Sequence, residues 1–164
     1  MSIEDRVAAL ETRLRAAEDH LEILNLLNCY GPLVDSGSGP EAADLWIEGG
    51  TYTFTTPDRT IGTLSSPEGL IGMYASEGHM GLVNTGAAHL TATPRITVDG
   101  DRATALGYSL VVLKEGDRWF LWRAAVNEWK LVRTDKGWKI EDRFNRPLDG
   151  APDSHEIMRR VIAK

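Results

Sequence analysis

The stretch that decides the fold runs from residue 88 to residue 146 and reads AHLTATPRITVDGDRATALGYSLVVLKEGDRWFLWRAAVNEWKLVRTDKGWKIEDRFNR. Three groups of turn-forming residues divide it: Asp99-Gly100-Asp101, Lys114-Glu115-Gly116-Asp117 and Thr134-Asp135-Lys136-Gly137. Such residues between apolar runs, above all Asp-Gly pairs, are typical of β-hairpins. The stretch therefore predicts a meander of four strands over about residues 88–98, 102–113, 119–133 and 138–146.

The first part of the chain has the pattern of a helix. Ser2 followed by Asp5 resembles a capping box, in which each side chain accepts a hydrogen bond from the backbone of the other. Apolar residues then recur at three- and four-residue steps, namely Val7, Leu10, Leu14, Leu21 and Leu24. Gly31-Pro32 is expected to disturb or bend this helix, because proline lacks the N–H that a helix interior uses.

Short elements lie between this helix and the meander. Pro40 predicts the start of a short helix that continues through Trp46 and is ended by Gly49-Gly50. Residues 51–55 alternate aromatic and hydroxyl side chains and predict a strand, and residues 67–74 predict another short helix. The glycine-rich stretch that follows, which contains His79, is expected to be a loop.

Helices at the front of an antiparallel sheet indicate an α+β fold. We expect a cone-shaped α+β barrel, in which the N-terminal helices pack in a strongly curved antiparallel sheet. The open mouth of such a cone is a common place for a ligand. The chain is expected to form a single domain over residues 1–164, with an N-terminal helical extension at 1–14 and a C-terminal tail helix at 151–164.

The composition narrows the class of partner. Of 164 residues 42% are apolar, and 18 basic residues against 24 acidic ones give a formal net charge of −6. The basic residues are scattered rather than clustered, so no nucleic acid is expected as a partner. No apolar run approaches the roughly 18 residues that cross a bilayer, and the N-terminus lacks the layout of a signal peptide. We therefore expect no membrane partner and a cytoplasmic location. The lone Cys29 excludes an internal disulfide and a cysteine-based metal cluster, and no metal site is expected.

Strand alternation predicts which side chains of the last two strands share a face. With Glu128 and Lys130 in solvent, the opposite face of their strand consists of Arg123, Ala125, Asn127, Trp129 and Leu131. In the last strand Trp138, Ile140, Asp142, Phe144 and Arg146 share a face, opposite Lys139, Glu141, Arg143 and Asn145. Charges among apolar residues are costly unless they are paired or face a cavity. Asp142 and Arg146 therefore indicate either a ligand cavity or an inter-strand salt bridge.

One histidine stands apart from the others. His89 begins a strand among apolar neighbours, whereas His20 and His155 lie in charged settings. A histidine in such a place is either a buried core residue or a general base. If Asp35 reaches His89, the carboxylate fixes the tautomer and stabilises the imidazolium; otherwise Asp35 serves only the turn that follows it. Tyr30 is then close enough to donate a hydrogen bond to a developing oxyanion.

Three segments carry a family resemblance. They are Tyr30-x-x-x-x-Asp35 followed by Ala43-Asp44-Leu45-Trp46, then Ala88-His89-x-x-x-x-Pro94-x-Ile96-x-Val98-Asp99-Gly100-Asp101-x-Ala103, and finally Trp129-Lys130-Leu131-Val132-Arg133-Thr134-x-x-Gly137-Trp138-Lys139-Ile140. Over roughly residues 15–150 the chain resembles the SnoaL-like branch of the nuclear transport factor two-like superfamily. The combination of Tyr30, Asp35 and His89 resembles the subset that includes scytalone dehydratase, hexachlorocyclohexane dehydrochlorinase and bile-acid 7-alpha-dehydratase.

The resemblance implies an activity. Members of that subset use a His–Asp dyad as the base of an elimination, without a metal or an organic cofactor, and many are trimers. Arg146 matches an arginine that lines the site of the bile-acid enzymes, and Asn127 loosely matches a polar substrate contact. The second histidine of scytalone dehydratase has no counterpart in the 103–113 strand, where Tyr108 and Ser109 stand, which argues against a scytalone-type substrate.

The sequence therefore predicts a cofactor-independent lyase of the dehydratase type, with His89, Asp35 and Tyr30 as the catalytic group. Arg146 and Asn127 are expected to bind the substrate. The aromatic residues Trp46, Tyr52, Phe54, Trp129 and Phe144 are expected to shape a pocket for a small apolar, cyclic or aromatic molecule. An isomerase or a polyketide cyclase that uses the same base, or a binding protein without catalysis, remains an alternative. A homo-oligomer, trimer or dimer, is the expected assembly.

Overall fold

The computed structural model describes residues 1–56 and 58–162, which form five α-helices, a short 3-10 helix and seven strands. The helices are α1 (Ile3–Asp35), α2 (Gly39–Ala43), α3 (Glu68–Tyr74), α4 (Glu77–Thr85) and α5 (Pro152–Arg159), which the 3-10 helix Arg160–Ile162 follows. The strands are β1 (Trp46–Thr55), β2 (Ile61–Ser65), β3 (Ala87–Thr91), β4 (Arg95–Asp99), β5 (Arg102–Glu115), β6 (Arg118–Thr134) and β7 (Gly137–Pro147).

The strands form one curved sheet in the order β2-β1-β7-β6-β5-β3, and β4 pairs with the first half of β5. The predicted α+β class is confirmed, as are the three hairpins of the meander. Two details differ from the expected barrel. The sheet is not closed, and β1 runs parallel to β7, so the sheet is mixed rather than wholly antiparallel.

Helix α1 is one continuous helix with a capped start. The capping box is formed: Asp5 N donates to Ser2 Oγ (3.1 Å) and Ser2 N donates to Asp5 Oδ2 (2.8 Å). The helix does not end at Gly31-Pro32 but continues through Pro32 to Asp35. Its buried residues recur at three- and four-residue steps, namely Ile23, Leu27, Tyr30 and Val34, and pack with the large aromatic residues of the sheet in one core. The sheet thereby covers one face of the second half of α1.

The region between α1 and the meander differs from expectation in three places. Helix α2 ends at Ala43, and Trp46 already belongs to β1, because it pairs with Ile140 of β7 and is buried in the core. Strand β2 was not expected. The glycine-rich stretch is helix α4 rather than a loop, because Ser76 caps it: the backbone N–H of His79 donates to Ser76 Oγ at 3.2 Å.

The strand expected over 88–98 is two strands, β3 and β4. Pro94 lies between them, and its missing N–H cannot donate to a ladder. Its Cα packs closely over Gly107 of β5, where an added Cβ would lie 3.0 Å away. The tail helix is present as α5, and the last two residues of the expected tail, 163–164, lie outside the described residues.

A β-bulge in β7 decides which of its side chains point inward. Lys130 pairs with Asp142 but Leu131 pairs with Ile140, so Glu141 is an extra residue without a partner opposite it. An extra residue reverses the alternation of faces beyond it. Trp138 and Ile140 are buried in the core before the bulge, and Arg143 and Asn145 are the buried residues after it.

The expected faces of β7 are therefore wrong beyond Glu141. Asp142, Phe144 and Arg146 lie on the outer face: Lys130 stands over the Phe144 ring (5.2 Å), and Arg146 Nε lies 3.4 Å from Asp153 of α5. Lys130 is exposed as expected, but Glu128 is buried, because Arg160 of the 3-10 helix covers it and pairs with it.

Candidate active site

A cavity of about 160 Å³ opens between the end of α1, helices α3 and α4, and the inner face of the sheet. Its apolar and aromatic wall includes Tyr30, Tyr52, Phe54, Met73, Tyr74 and Trp122. The polar residues that line it are His79, His89, Thr91, Ser109, Arg123, Arg143 and Asn145. A small, mostly aromatic cavity with a few convergent polar groups is typical of a ligand site.

His89 and Asp35 form a pair at one side of the cavity. Asp35 Oδ1 lies 2.6 Å from His89 Nδ1, and Asp35 Oδ2 accepts the backbone N–H of His89 at 2.7 Å. A carboxylate only accepts, so Nδ1 carries a proton, and in the neutral ring Nε2 then keeps its lone pair. The two side chains are 19% and 20% exposed, so the pair is shielded but reachable. The geometry is that of a histidine base oriented by a carboxylate.

Gly31 allows this pair to form. It lies one helical turn before Asp35 on α1, and an added Cβ there would overlap with the carbonyl oxygen of His89. The end of α1 can therefore approach β3 closely only because residue 31 has no side chain. Asp35, on the same face of the helix, then meets both the backbone and the ring of His89.

A second histidine stands next to the first. The ring centroids of His79 and His89 are 5.9 Å apart, and His79 also contacts the ring of Tyr74. His79 Nε2 donates to the carbonyl oxygen of Val34 at 3.1 Å, because a carbonyl can only accept. Two histidines therefore line the cavity, and the second comes from α4, whereas β5 has no histidine.

Arg143 is the buried cation of the site. It is 4% exposed, its Nε donates to Asn127 Oδ1 (2.8 Å), and its guanidinium lies 4.5 Å from the ring centres of both Tyr30 and Tyr52. No residue in the described part of the chain accepts a hydrogen bond from its Nη1. Burial alone lowers the pKa of Arg143, but its tyrosine neighbours more than offset this, and the net pKa is raised. Arg143 is therefore charged, and its Nη1 is a donor that the described residues leave unused.

A chain of amides fixes the floor around Arg143. Asn127, which is fully buried, donates to Ser109 Oγ (2.6 Å) and accepts from Asn145 Nδ2 (3.0 Å) as well as from Arg143. Asn145 in turn accepts from Arg123 Nη2 at 2.6 Å. Networks of this kind hold their members in one arrangement. Asn127 therefore supports the cavity from below and does not line it.

Two tyrosines of the wall, Tyr52 and Tyr74, have raised pKa values and remain protonated at neutral pH. Burial raises the pKa of Tyr74, and burial also raises that of Tyr52, although Arg143 opposes the shift. The Tyr74 hydroxyl is buried and has no hydrogen-bond partner within residues 1–56 and 58–162. Like Arg143 Nη1, this hydroxyl is a donor that the described residues leave unused.

The structure brings together some of the residues that the sequence singled out and separates others. His89, Tyr30, Tyr52 and Phe54 line the cavity, as does His79, and Asp35 stands behind His89. Trp46 and Trp129 lie in the core behind the wall, with Trp46 against Tyr52 (6.2 Å between ring centroids) and Trp129 beneath Arg143 (5.4 Å). Arg146 and Phe144 are not part of the cavity, because the bulge at Glu141 turns them to the outer face.

Sequence reasoning missed Arg143, Arg123, Asn145 and Tyr74. Strict alternation assigned Arg143 and Asn145 to the outer face, and no local pattern marks the bulge that reverses them. The one available signal was that Arg123 shared a face with Asn127 and Trp129. A charge on that face indicates a polar cavity.

Two kinds of feature are absent from the described residues. No three His, Cys, Asp or Glu side chains within them come together in a way that could hold a metal ion. None of the helices formed by residues 1–56 and 58–162 has the length and hydropathy needed to cross a membrane.

Known proteins share this architecture. The SnoaL-like domain model matches residues 15–143, whereas no curated protein matches the chain. An NTF2-like protein with a cystatin-like fold from Novosphingobium aromaticivorans is 32% identical, with a TM-score of 0.86 over 91% of this chain and 94% of that one. A protein of unknown function from Mycobacterium tuberculosis is 21% identical, with a TM-score of 0.67 over 87% and 91% of the two chains. ActVI-ORFA from Streptomyces coelicolor is 17% identical, with a TM-score of 0.66 over 80% and 98%. The last two show the fold alone; the family match and the first structure show that the chain belongs to the SnoaL-like domain family of the nuclear transport factor two-like superfamily.

Proposed function

We propose that this chain is a cofactor-independent lyase that eliminates water, or another leaving group, from a small apolar cyclic or aromatic substrate. SnoaL-like domains bind small organic ligands, and many are catalytic. The proposal rests on one observation: Asp35 Oδ1 holds Nδ1 of His89 at 2.6 Å while the ring lines the cavity. This arrangement leaves Nε2 as the base.

The proposed reaction begins with removal of a proton from carbon. His89 Nε2 takes a proton from a carbon next to a carbonyl or conjugated ring, and the C–H electron pair delocalises into an enolate. Asp35 stabilises the imidazolium that results. The enolate then forms a C=C bond and expels hydroxide from the next carbon, which takes the proton from His89 and leaves as water. A positioned base of this kind contributes about 10²–10⁴-fold in rate.

Arg143 takes the role that the sequence assigned to Arg146. Its free Nη1 and its charge are suited to an enolate oxygen, and such preorganised donors are worth most in a cavity from which water is excluded. Tyr30, which lies under the same guanidinium, and the unpartnered hydroxyl of Tyr74 are further donors. Because Asn127 and the tyrosine rings already hold Arg143, little reorganisation is needed when charge develops.

The size of the cavity limits the substrate. An apolar cavity of about 150 Å³ is known to accommodate benzene, and the cavity here measures about 160 Å³. A single ring with short substituents therefore fits best. A larger molecule would extend past Trp122, which is 49% exposed, into the neighbouring groove that Trp122 and Arg123 also line.

Two reactions related to dehydration begin with the same proton abstraction. An isomerase returns the proton to another carbon, and a polyketide cyclase uses the enolate to close a ring; SnoaL-like domains include polyketide cyclases. The mass of the product separates them, since dehydration removes one water whereas isomerisation and simple cyclisation leave the mass unchanged.

Hydrogen exchange tests the proposal before the natural substrate is known. Monocyclic ketones with a hydroxyl group on the β-carbon are incubated with the protein in deuterated water, and mass spectrometry follows deuterium at the α-carbon and loss of water. We expect the wild-type chain to catalyse both. His89→Ala should lower the rate by about 10²–10⁴-fold, and Asp35→Asn by at least about tenfold.

His155→Ala is the matched control, because His155 is an exposed histidine of α5 and does not line the cavity. It should retain the wild-type rate. Rates within a few-fold of wild type in both His89→Ala and Asp35→Asn would remove the dyad from the mechanism. A monocyclic phenol that binds in the cavity without changing the NMR signals of the His89 ring would instead favour a binding protein without catalysis.

A further inference from the structure

Helix α1 carries two apolar stripes on opposite faces. Ile23 and Leu27 belong to the stripe that the sheet covers. Leu14 precedes Ile23 by nine residues, which at about 100° per residue is half a turn beyond two full turns. Leu14 therefore points away from the side on which the core of this chain lies.

The second stripe is in contact with solvent. Leu10, Leu14 and Leu21 are 60%, 59% and 58% exposed, and Ile3 and Val7 are exposed as well. Exposed apolar residues are ordinary when scattered, but a continuous row marks a contact surface. Most of the stability of a helix in a protein also comes from the packing of its apolar face. The exposed half of α1 thus lacks the packing that would stabilise it.

The spacing of this stripe is that of a coiled coil. Positions 3, 7, 10, 14, 17 and 21 follow one another at alternating steps of four and three residues. These are the d and a positions of successive heptads, and they are occupied by Ile3, Val7, Leu10, Leu14, Ala17 and Leu21, here called the outer seam. Leu24 continues the same register at its inner end.

The charges beside the outer seam select both the partner and its direction. All three e positions are acidic, namely Glu4, Glu11 and Glu18, and the g positions are Arg6, Arg13 and His20. In a parallel pair each g residue meets the e residue of the next heptad on the other helix, which here places Arg opposite Glu. In an antiparallel pair e meets e and g meets g, which here opposes like charges. A second copy of this chain in parallel orientation is therefore the complementary occupant.

We propose that the outer seam forms a parallel two-stranded coiled coil with a second copy of this chain. Arg6 then pairs with the partner's Glu11, and Arg13 pairs with the partner's Glu18. The sheet packs on the opposite face of α1, so it does not lie between the two helices of the coiled coil. This interface is independent of the proposed reaction, since none of its residues lines the cavity.

The mass of the full chain in solution tests the proposal. Sedimentation equilibrium over a range of concentrations should show a dimer for the wild-type chain. Leu14→Glu places a charge in the centre of the outer seam and should weaken the dimer by about 100-fold or more. Thr12→Glu is the matched control: it adds the same charge to an exposed site on the opposite side of the helix and should leave the dimer intact. A monomer, a trimer, or a dimer that Leu14→Glu does not weaken would overturn the proposal.

Charge exchange tests the direction of the helices. Changing Glu11 and Glu18 to Lys should weaken the parallel dimer by about tenfold, because each Lys then meets an Arg. Adding Arg6→Glu and Arg13→Glu in the same chain should restore it, because every e–g pair is again of opposite sign. An antiparallel pair gains nothing from the second exchange, so a failure of rescue would overturn the parallel arrangement.

Discussion

Asp19 joins α1 to the sheet through two side-chain hydrogen bonds, and its replacement should lower the free energy of unfolding. Its Oδ2 accepts from Arg133 Nη2 (2.7 Å) and its Oδ1 accepts from the buried indole N–H of Trp138 (3.2 Å). Asp19→Asn keeps an oxygen for Trp138 but loses the charged bond, and Arg133 retains Asp101 at 2.9 Å. We expect Asp19→Asn to lower the free energy of unfolding by about 1 kcal/mol. Asp19→Ala also leaves the Trp138 N–H without an acceptor and should cost about 2–3 kcal/mol.

The same contacts make this contribution depend on pH. The hydrogen bond from Arg133 lowers the pKa of Asp19 below its ordinary value of 3.8, although burial opposes the shift. Since the folded-state pKa is below the unfolded one, the ionised carboxylate stabilises the fold above about pH 4. This stabilisation is lost as the pH falls through the folded-state pKa. Protonated Asp19 resembles asparagine, so the wild-type chain and Asp19→Asn should converge in stability at low pH.

Urea denaturation at neutral pH and at stepwise lower pH measures both effects. At neutral pH the difference for Asp19→Asn should also appear as a lower Tm, by about 2–4 °C for a chain of this size. Glu156→Gln removes an exposed carboxylate of α5 and should show neither effect. Equal stability of Asp19→Asn and the wild-type chain at neutral pH, or a difference that stays constant below pH 4, would refute the reasoning.

Three further substitutions probe the cavity. Gly31→Ala forces a Cβ against the His89 carbonyl, so the free energy of unfolding should fall by about 1–3 kcal/mol in urea denaturation. The rate of deuterium exchange at the α-carbon of the test ketones should fall as well, because Asp35 can no longer approach His89 as closely. Arg143→Gln removes the charge at the proposed enolate oxygen; kcat should fall by about 10²-fold, with a smaller change in KM, in steady-state kinetics. Asn127→Leu leaves Arg143 Nε and Ser109 without their buried partner. The free energy of unfolding, measured by urea denaturation, should fall by about 2–4 kcal/mol. An unchanged midpoint would contradict the role given to this amide.

Local signals were sufficient where a turn or a cap determines the structure. The glycine of the first hairpin, Gly100, has φ +60°, a conformation that glycine adopts without strain and other residues rarely adopt. The capping box at Ser2 and Asp5 likewise depends only on residues three positions apart. Asp35 and His89 are 54 residues apart, so no local signal predicts that they meet; the sequence indicated it only through the family resemblance, and the structure places Asp35 Oδ1 2.6 Å from His89 Nδ1.

Tertiary contacts decided the features that sequence reasoning missed. Trp46 lies in a strand rather than at a helix end because β7 offers it a partner and the core offers it burial. Glycine-rich α4 is a helix despite its composition, since Ser76 caps it. The bulge at Glu141 depends on how β7 pairs with β6, and no residue near it is diagnostic of an extra residue. The identity of the site arginine followed from that register and could not be read from alternation.

The bulge also bears on how the site arginine can be recognised in other sequences of this family. Deleting Glu141 would restore strict alternation and leave every other residue of β7 on its present face, because Asp142 would stay opposite Lys130 and Ile140 opposite Leu131. Trp138, Ile140, Arg143 and Asn145 would then alternate without interruption on the inner face. In a relative that lacks the extra residue, alternation alone should therefore assign the buried arginine to the cavity, whereas in this chain one added residue hides it from that rule.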